Sequence, residues 1–146
     1  MKKSELGTLQ TYASLRFIGD GLEPQRLTDV LNVCPEIAYR KGEVYKLSGG
    51  HEIRGRTGLW VISSKGVVAS TDLNEHFDYL LGVLFSGGND SKLKRLHELM
   101  RDDSIEADAP CFWHGKHGAK PPVIRDEIRA KLARIPAEIR ADFDTE

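Results

Sequence analysis

Closely spaced cysteine and histidine side chains are the first candidates for chemistry in this sequence. Cys111, His114 and His117 place one thiol and two imidazoles within seven residues, and zinc prefers sulfur and nitrogen ligands of this kind. The segment has neither the helical His-x-x-x-His spacing nor a second ligand pair nearby. Alternation puts Cys111 on an apolar strand face, where burial without a cation raises a thiol pKa and opposes nucleophilic use. We therefore expect a polar loop with one core cysteine, and no metal.

Asp20, Arg40, Glu43 and His76 are the candidates for a small-molecule or hydrolytic site. Asp20 stands between two glycines at the end of a predicted strand, where a carboxylate is able to bind a ligand. Aspartate also suits a turn, because its side chain accepts backbone N–H bonds there. Arg40 and Glu43 likewise fit a solvated turn around an intervening glycine. Sequence leaves both interpretations open, and the test is whether the four side chains converge on one concave site.

The segment from Arg40 to Thr57 is the one place where charge is locally unbalanced. Its basic residues are Arg40, Lys41, Lys46, Arg54 and Arg56, against Glu43 and Glu52. Glycines beside arginines are able to wrap a phosphate or an acidic protein surface. The Gly-x-x-x-x-Gly-Lys-Ser/Thr phosphate cradle is missing, however. Glycine and serine without apolar periodicity predict a solvated, mobile loop over residues 46–57.

Strands must position most of the other polar side chains, because period-two alternation sends successive residues to opposite sheet faces. Tyr12 and Arg16 oppose the apolar face of a first strand, and Phe112 opposes that of a later one. Four carboxylates share this wet side: Glu106, Asp108, Glu138 and Asp142. One-sided strands are typical of an antiparallel or mixed sheet with helices on one face. Tyr12, Arg16 and Phe112 are therefore predicted to form a recognition patch on the open side.

Apolar residues at helical spacing predict four helices. A capping box at Asp72, with a glutamate three residues later, begins one of them, and Ser86–Gly88 ends it. The next begins near Asp90. Pro24 and Pro122 open the remaining two, because a proline in the first turn loses no hydrogen bond.

These elements predict one α+β domain of residues 1–146. We expect a two-layer sandwich in which about five strands, antiparallel or mixed, carry helices on one face. A strand, a proline-initiated helix and a returning strand occur twice, over Thr8–Tyr39 and Ile105–Asp144. The fold is therefore ferredoxin-like in character, with two β-α-β-like halves. The continuous apolar run Leu59–Ile62 is the predicted central strand, and its Val61 is expected in the core.

Composition disfavours several functional classes. The 146 residues carry 21 Lys and Arg against 22 Asp and Glu, which removes the general attraction for polyanions that nucleic-acid and membrane-surface binders carry. The first residues lack the apolar stretch of a signal peptide, so we expect a cytoplasmic protein. Cys34 and Cys111 are too few for a disulfide scaffold, and both are expected to be reduced and buried. We expect no cofactor.

Four blocks of sequence support a family resemblance. They run Phe17-Ile18-Gly19-Asp20-x-Leu22-x-Pro24-x-x-Leu27-Thr28, Arg40-Lys41-Gly42-Glu43, Gly58-Leu59-Trp60 and Leu73-x-x-His76-x-x-x-Leu80-Leu81. In this order the blocks resemble those of a bacterial family catalogued as domain of unknown function 4279, and the likeness extends from about Thr11 to Phe143. The resemblance implies a single domain, and it implies no activity, cofactor or catalytic residue.

Two functional hypotheses follow from these patterns. The first is a noncatalytic protein-interaction or regulatory module, immunity-like in character, that binds another protein or a second copy of the chain; carboxylates on the wet face repel phosphates, so nucleic acid is not expected. The second is a small-molecule-binding protein or hydrolase. The candidate binding residues of both are Tyr12, Arg16, Phe112, Asp20, Arg40, Glu43, Arg54, Arg56 and His76.

Overall fold

The computed structural model describes residues 11–47, 49–85 and 90–145. Its strands are β1 (Thr11–Gly19), β2 (Ile37–Tyr39), β3 (Val44–Lys46), β4 (Glu52–Arg54), β5 (Gly58–Ser63), β6 (Glu106–Gly115) and β7 (Ala137–Thr145). Its helices are α1 (Pro24–Leu31), α2 (Leu73–Leu84), α3 (Asp90–Asp102) and α4 (Asp126–Arg134). Thr8 and Ser86–Gly88, which the sequence placed at element ends, lie outside the described residues.

Five strands form one mixed sheet in the order β2-β5-β1-β6-β7. Neighbours are antiparallel, except that β6 and β7 are parallel. The predicted α+β fold, with a mixed five-stranded sheet and helices on one face, is confirmed. The central strand is β1, however, so the assignment of Leu59–Ile62 to the centre of the sheet was wrong.

The ferredoxin-like character lies in the first four strands of the sheet. In the order β2-β5-β1-β6, the chain passes from β1 through α1 to β2, and from β5 through α2 and α3 to β6. Each of these connections skips one intervening strand, which is the split β-α-β pattern. The last unit, β6-α4-β7, joins adjacent parallel strands instead. The two predicted β-α-β halves therefore exist, but they differ in arrangement. Strand β5 lies between β1 and β2 of the first half, whereas β6 and β7 of the second half are adjacent.

Local signals placed most helix starts correctly. Helix α1 begins at Pro24 as predicted, and the Asp72 side chain accepts from the Asn74 backbone N–H at 3.0 Å to cap α2. The start of α4 was wrong: it begins at Asp126 rather than near Pro122. Ile124, which the sequence placed in that helix, is buried in the preceding segment.

One cluster of buried apolar side chains lies between the helices and the sheet. It joins Leu15 of β1, Leu81 of α2 and Ile128 of α4. Val61 is outside it, because β5 alternates and only Trp60 and Ile62 turn inward. The prediction of Val61 as a core residue was therefore wrong.

A hairpin replaces part of the predicted loop. Strand β3 pairs with β4 in antiparallel register, with Tyr45 opposite Ile53, as a separate two-stranded sheet. We call this hairpin, Val44–Arg54, the arm. Sequence missed β4 because its three residues are too few to show a period.

A proline interrupts the ladder between β1 and β6. Thr11–Ala13 pair with Cys111–Trp113 and Arg16–Ile18 pair with Glu106–Asp108, but no bridge forms opposite Pro110. Proline has no N–H to donate, so this gap is the expected consequence. The register is the same on both sides of the gap. Pairs above and below it therefore share one sheet face.

Candidate functional site

The face of the five-stranded sheet that is turned away from the core is the candidate functional surface, and we call it the open face. Paired residues share a face, so the register defines its members. From β2 to β7 they are Ile37, Tyr39, Leu59, Val61, Ser63, Tyr12, Ser14, Arg16, Ile18, Glu106, Asp108, Pro110, Phe112, His114, Glu138, Arg140, Asp142 and Asp144. Every described helix packs on the opposite face.

An apolar row crosses the β2 side of the open face. Ile37 pairs with Val61, and Leu59 pairs with both Tyr39 and Ile18. All five side chains are only partly buried and stand outside the core cluster. A contiguous apolar surface that keeps contact with water is typical of an interaction site.

An aromatic pair lies on the two middle strands. The rings of Tyr12 and Phe112 stack with their centroids 5.7 Å apart and their planes inclined by 23°. The Lys65 ammonium lies 5.1 Å from the centre of the Tyr12 ring, within the range of a cation–π contact. Both rings are half-buried, so each keeps part of its surface for a ligand.

Arg16, Asp108 and Arg140 form an ion cluster beside the aromatic pair. Arg16 donates through Nε to Asp108 Oδ1 at 2.9 Å and through Nη2 to Oδ2 at 2.6 Å. Arg140 Nε donates to Oδ2 at 2.8 Å. Asp108 is only 4% exposed, whereas the Arg16 and Arg140 side chains are 37% and 57% exposed. The buried carboxylate thus orients two accessible guanidinium groups, which fixes donors for a partner.

The two arginines control the ionisation of the buried carboxyl group. Burial alone raises the pKa of Asp108, but hydrogen bonds from Arg16 and Arg140 outweigh it and lower that pKa below its ordinary value. The hydrogen bond to Asp108 in turn raises the pKa of Arg16, against the opposite effect of burial. Asp108 and Arg16 are therefore both charged near neutral pH.

Of the four candidates for a small-molecule or hydrolytic site, Asp20, Arg40 and Glu43 lie near one another. Lys41 Nζ donates to Asp20 Oδ2 at 3.1 Å, and the Arg40 backbone N–H donates to Glu43 Oε1 at 2.8 Å. Arg40 also pairs with Glu23, through Nη2 and Oε2 at 2.9 Å. A hydrogen bond from Thr57, followed by the contact with Lys41, lowers the pKa of the fully exposed Asp20. The cluster is a set of mutually paired surface charges around a turn.

His76 lies elsewhere, fully buried on α2. Its Nδ1 is 2.6 Å from Ser64 Oγ, its Nε2 is 2.7 Å from the Ser70 carbonyl oxygen, and Ser64 Oγ accepts from the Ala13 N–H at 2.9 Å. Ala13 and Asp20 are seven residues apart along β1, a separation of about 20 Å. Asp20, Arg40, Glu43 and His76 therefore do not surround one pocket. The serine and histidine resemble a catalytic pair, but both are sealed from solvent and tie the segment after β5 to β1.

Arg54 and Arg56 belong to the arm and its base. Arg54 Nη1 donates to the Gly42 carbonyl oxygen at 2.7 Å across the arm, and both side chains are exposed. Three cavities open on the described surface, with volumes of about 510, 210 and 310 Å³. None of these three is lined by Arg54, Arg56, Asp20 or His76.

The cysteines and histidines of the last third form no cluster of metal ligands. No group of three His, Cys, Asp or Glu side chains is close enough to hold an ion within residues 11–47, 49–85 and 90–145. Burial raises the pKa of the Cys111 thiol to about 11, in agreement with its place in the core. Cys34 is exposed, so its predicted burial was wrong. It lies in the segment between α1 and β2, where the sequence has no helical or strand periodicity from which burial could be predicted.

Sequence reasoning missed Arg140 and underrated Asp108 and the apolar row. Asp108 was placed on the wet face, but its partners depend on the strand register, which a sequence without pairing information does not supply. The run Leu59–Ile62 did signal an apolar surface on both sides of one strand. The missing information was the register, which places Leu59 and Val61 beside Ile18, Ile37 and Tyr39 on the open face.

Three of the four sequence blocks lie on β1 with α1, on β5 and on α2, and the fourth, Arg40–Glu43, forms the turn between β2 and β3. A family model described as a domain of unknown function (DUF4279) matches residues 9–146. The chain belongs to this family. No curated protein and no solved structure matches the chain significantly. Within its described residues, no helix has both the length and the apolar character needed to cross a bilayer.

Proposed function

We propose that this protein is a noncatalytic interaction module that binds another protein through its open face, as a regulatory or immunity-like protein does. The proposal rests on one observation: apolar, aromatic and arginine side chains lie together, partly exposed, on a sheet face that no described helix covers. Aromatic residues and arginine are the side chains enriched at the centres of protein interfaces.

The arrangement of the open face supports a protein partner. Tyr12, Arg16 and Phe112 lie on β1 and β6, in the middle of the sheet. The apolar row flanks them on one side, and the carboxylates of β6 and β7 flank them on the other. A central patch with surrounding contacts that exclude water is the usual organisation of a binding hot spot.

Other classes of function receive less support. Carboxylates beside the aromatic pair repel phosphate groups, whereas single-stranded nucleic acid is bound by aromatics set among basic residues. A hydrolase would need an accessible nucleophile and base. Ser64 and His76 have suitable separation, but both are completely buried, and Asp20, Arg40 and Glu43 are about 20 Å away by strand length.

The test is capture of partners from cells that express the protein naturally, with identification by mass spectrometry. Replacement of Tyr12 and Phe112 by serine is expected to abolish capture of the specific partner while the fold is retained, because both rings lie outside the core. The matched control replaces Val123, an exposed apolar residue in the segment before α4, by serine. It is expected to capture the partner as the wild type does.

A double variant that folds and keeps every partner would overturn the proposal. If the variant with both serines unfolds, Lys65→Glu is tested instead. Lys65 is exposed, and this substitution reverses the charge above the Tyr12 ring without removing an apolar side chain. Weakened capture by Lys65→Glu supports the open face, and unchanged capture contradicts it.

A further inference from the structure

Among the described residues, the arm and the outer strands β2 and β7 of the main sheet each have an edge with no partner strand. The arm is a two-stranded sheet of its own, and β7 pairs with β6 on one side only. An isolated hairpin is marginally stable in water, and the unpaired N–H and C=O groups of an edge strand are a template for another strand. These edges lie apart from the patch around Tyr12 and Phe112. The inference therefore goes beyond the proposed function.

The arm has two unlike sides. Its register places Tyr45 and Ile53 on one side and Val44, Lys46 and Arg54 on the other, together with Glu52. The Tyr45 ring lies 5.5 Å from the Tyr39 ring of the open face. Ile53 is 37% exposed and Val44 is 48% exposed. The arm thus presents an apolar side and a mainly basic side, and both remain accessible.

Strand β7 has the complementary pair of sides. Glu138, Asp142 and Asp144 belong to the open face, where Arg140 is directed to Asp108. Ile139 and Phe143 belong to the opposite side, at the border of the core and only partly buried. Together β6 and β7 carry five carboxylates against one arginine, whereas residues 40–57 carry five basic residues against two glutamates. The near-zero net charge conceals this division.

We propose that the arm of one copy of the protein adds as a strand to the β7 edge of a second copy. Side chains alternate with the same period in both strands. The register that puts Lys46 level with the carboxylates of β7 therefore also puts Tyr45 level with Ile139 and Phe143. Backbone hydrogen bonds of this kind give affinity, and the alternate side chains give specificity.

Strand β3 is the one that meets β7. It continues from β2, the outermost strand of the sheet, whereas β4 leads into the interior strand β5. Strand β3 also carries Lys46 and no carboxylate. The contact joins two different surfaces, the arm and the β7 edge of the five-stranded sheet, so it produces rings or open chains rather than a two-fold dimer.

The experiment follows self-association by sedimentation velocity over a range of protein and salt concentrations. Wild-type mass is expected to rise with protein concentration and to fall with salt, because the contact pairs exposed charges. Two reversed variants are made: Lys46→Glu with Arg54→Glu, and Glu138→Lys with Asp142→Lys. Each is expected to associate roughly tenfold more weakly than the wild type, since like charges then face each other.

The decisive sample is the equimolar mixture of the two reversed variants. Each reversed edge meets a partner edge of opposite charge in the mixture, so association is expected to return. Lys94→Glu with Arg95→Glu is the control, because it makes the same change of charge on the exposed side of α3. It is expected to associate as the wild type does.

A wild type that stays monomeric overturns the inference, and so does a mixture that fails to associate while both variants keep their circular dichroism spectra. If a reversed arm unfolds, Lys46→Gln with Arg54→Gln replaces it; weaker association then supports the contact, and unchanged association contradicts it. The Tyr12→Ser and Phe112→Ser variant is expected to self-associate normally. Failure of self-association thus does not contradict the proposed partner binding, and failure of partner binding does not contradict self-association.

Discussion

Asp108 is the residue on which the charged part of the open face depends. A nearly buried carboxylate is costly unless it is paired, and here three hydrogen bonds from Arg16 and Arg140 supply the pairing. Pairing also immobilises both arginines, which reduces the entropy lost when a partner binds them. One residue therefore serves stability and recognition together.

Asp108→Asn is expected to lower the free energy of unfolding at pH 7 by about 1 to 3 kcal/mol, because all three hydrogen bonds from the arginines lose the acceptor charge and an amide NH2 group replaces one acceptor oxygen. The folded-state pKa of Asp108 is lowered from its ordinary 3.8. Its contribution is therefore complete above that value and is lost as the pH falls through the lower folded pKa. Urea unfolding at pH 7 and at several values below 4 measures both effects.

The difference between wild type and Asp108→Asn should shrink as the pH falls. A difference that stays constant down to the acid limit would mean that the carboxylate charge is not its source. Glu106→Gln is the matched control, because Glu106 is an exposed carboxylate on the same strand. Its effect on stability is expected to be small at every pH.

At the scale of elements, periodicity predicted the features that are set within a single strand or helix, such as its apolar side and its first residue. The apolar sides of β1 and β6, the cap at Asp72 and the start of α1 at Pro24 were all correct. Sequence did not predict what depends on neighbours. The run Leu59–Ile62 was assigned to the central strand, whereas β5 lies beside that strand and its outer side belongs to the open face. The start of α4 was wrong because helical spacing continued back to Ile124, which is buried without being helical.

The difference between the core and the outer side of β5 is measurable. Leu81→Ala is expected to cost about 2 to 5 kcal/mol, because Leu81 is 4% exposed within the core and a large-to-small change leaves a cavity. Val61→Ala is expected to cost about 1 kcal/mol or less, because its methyl groups already contact water. Chemical denaturation of both variants gives the comparison. Equal losses would mean that Val61 is covered as fully as the core side chains.

At the scale of the whole molecule, strand and helix order was sufficient for the fold class and insufficient for the site. The family model spans residues 9–146 and supplies no activity. The open face is made of pairs such as Arg16 with Asp108, which are 92 residues apart in the chain. Such pairs exist only after the register is set, so no local pattern reports them. The separation of His76 from Asp20 was hidden for the same reason.

The last helix and strand are integral to the core rather than an addition to a four-stranded ferredoxin-like unit. Ile128, Leu132 and Ile135 are each at most 3% exposed and belong to the same cluster as β1 and α2. Loss of several such side chains, at about 2 to 5 kcal/mol each, equals the whole stability of a typical domain. A chain that ends at Gly115 is therefore expected to lose its cooperative thermal transition and the near-ultraviolet signal of Trp60. A separate peptide of residues 116–146 should restore both in part, and a truncated chain that melts cooperatively by itself would contradict this account.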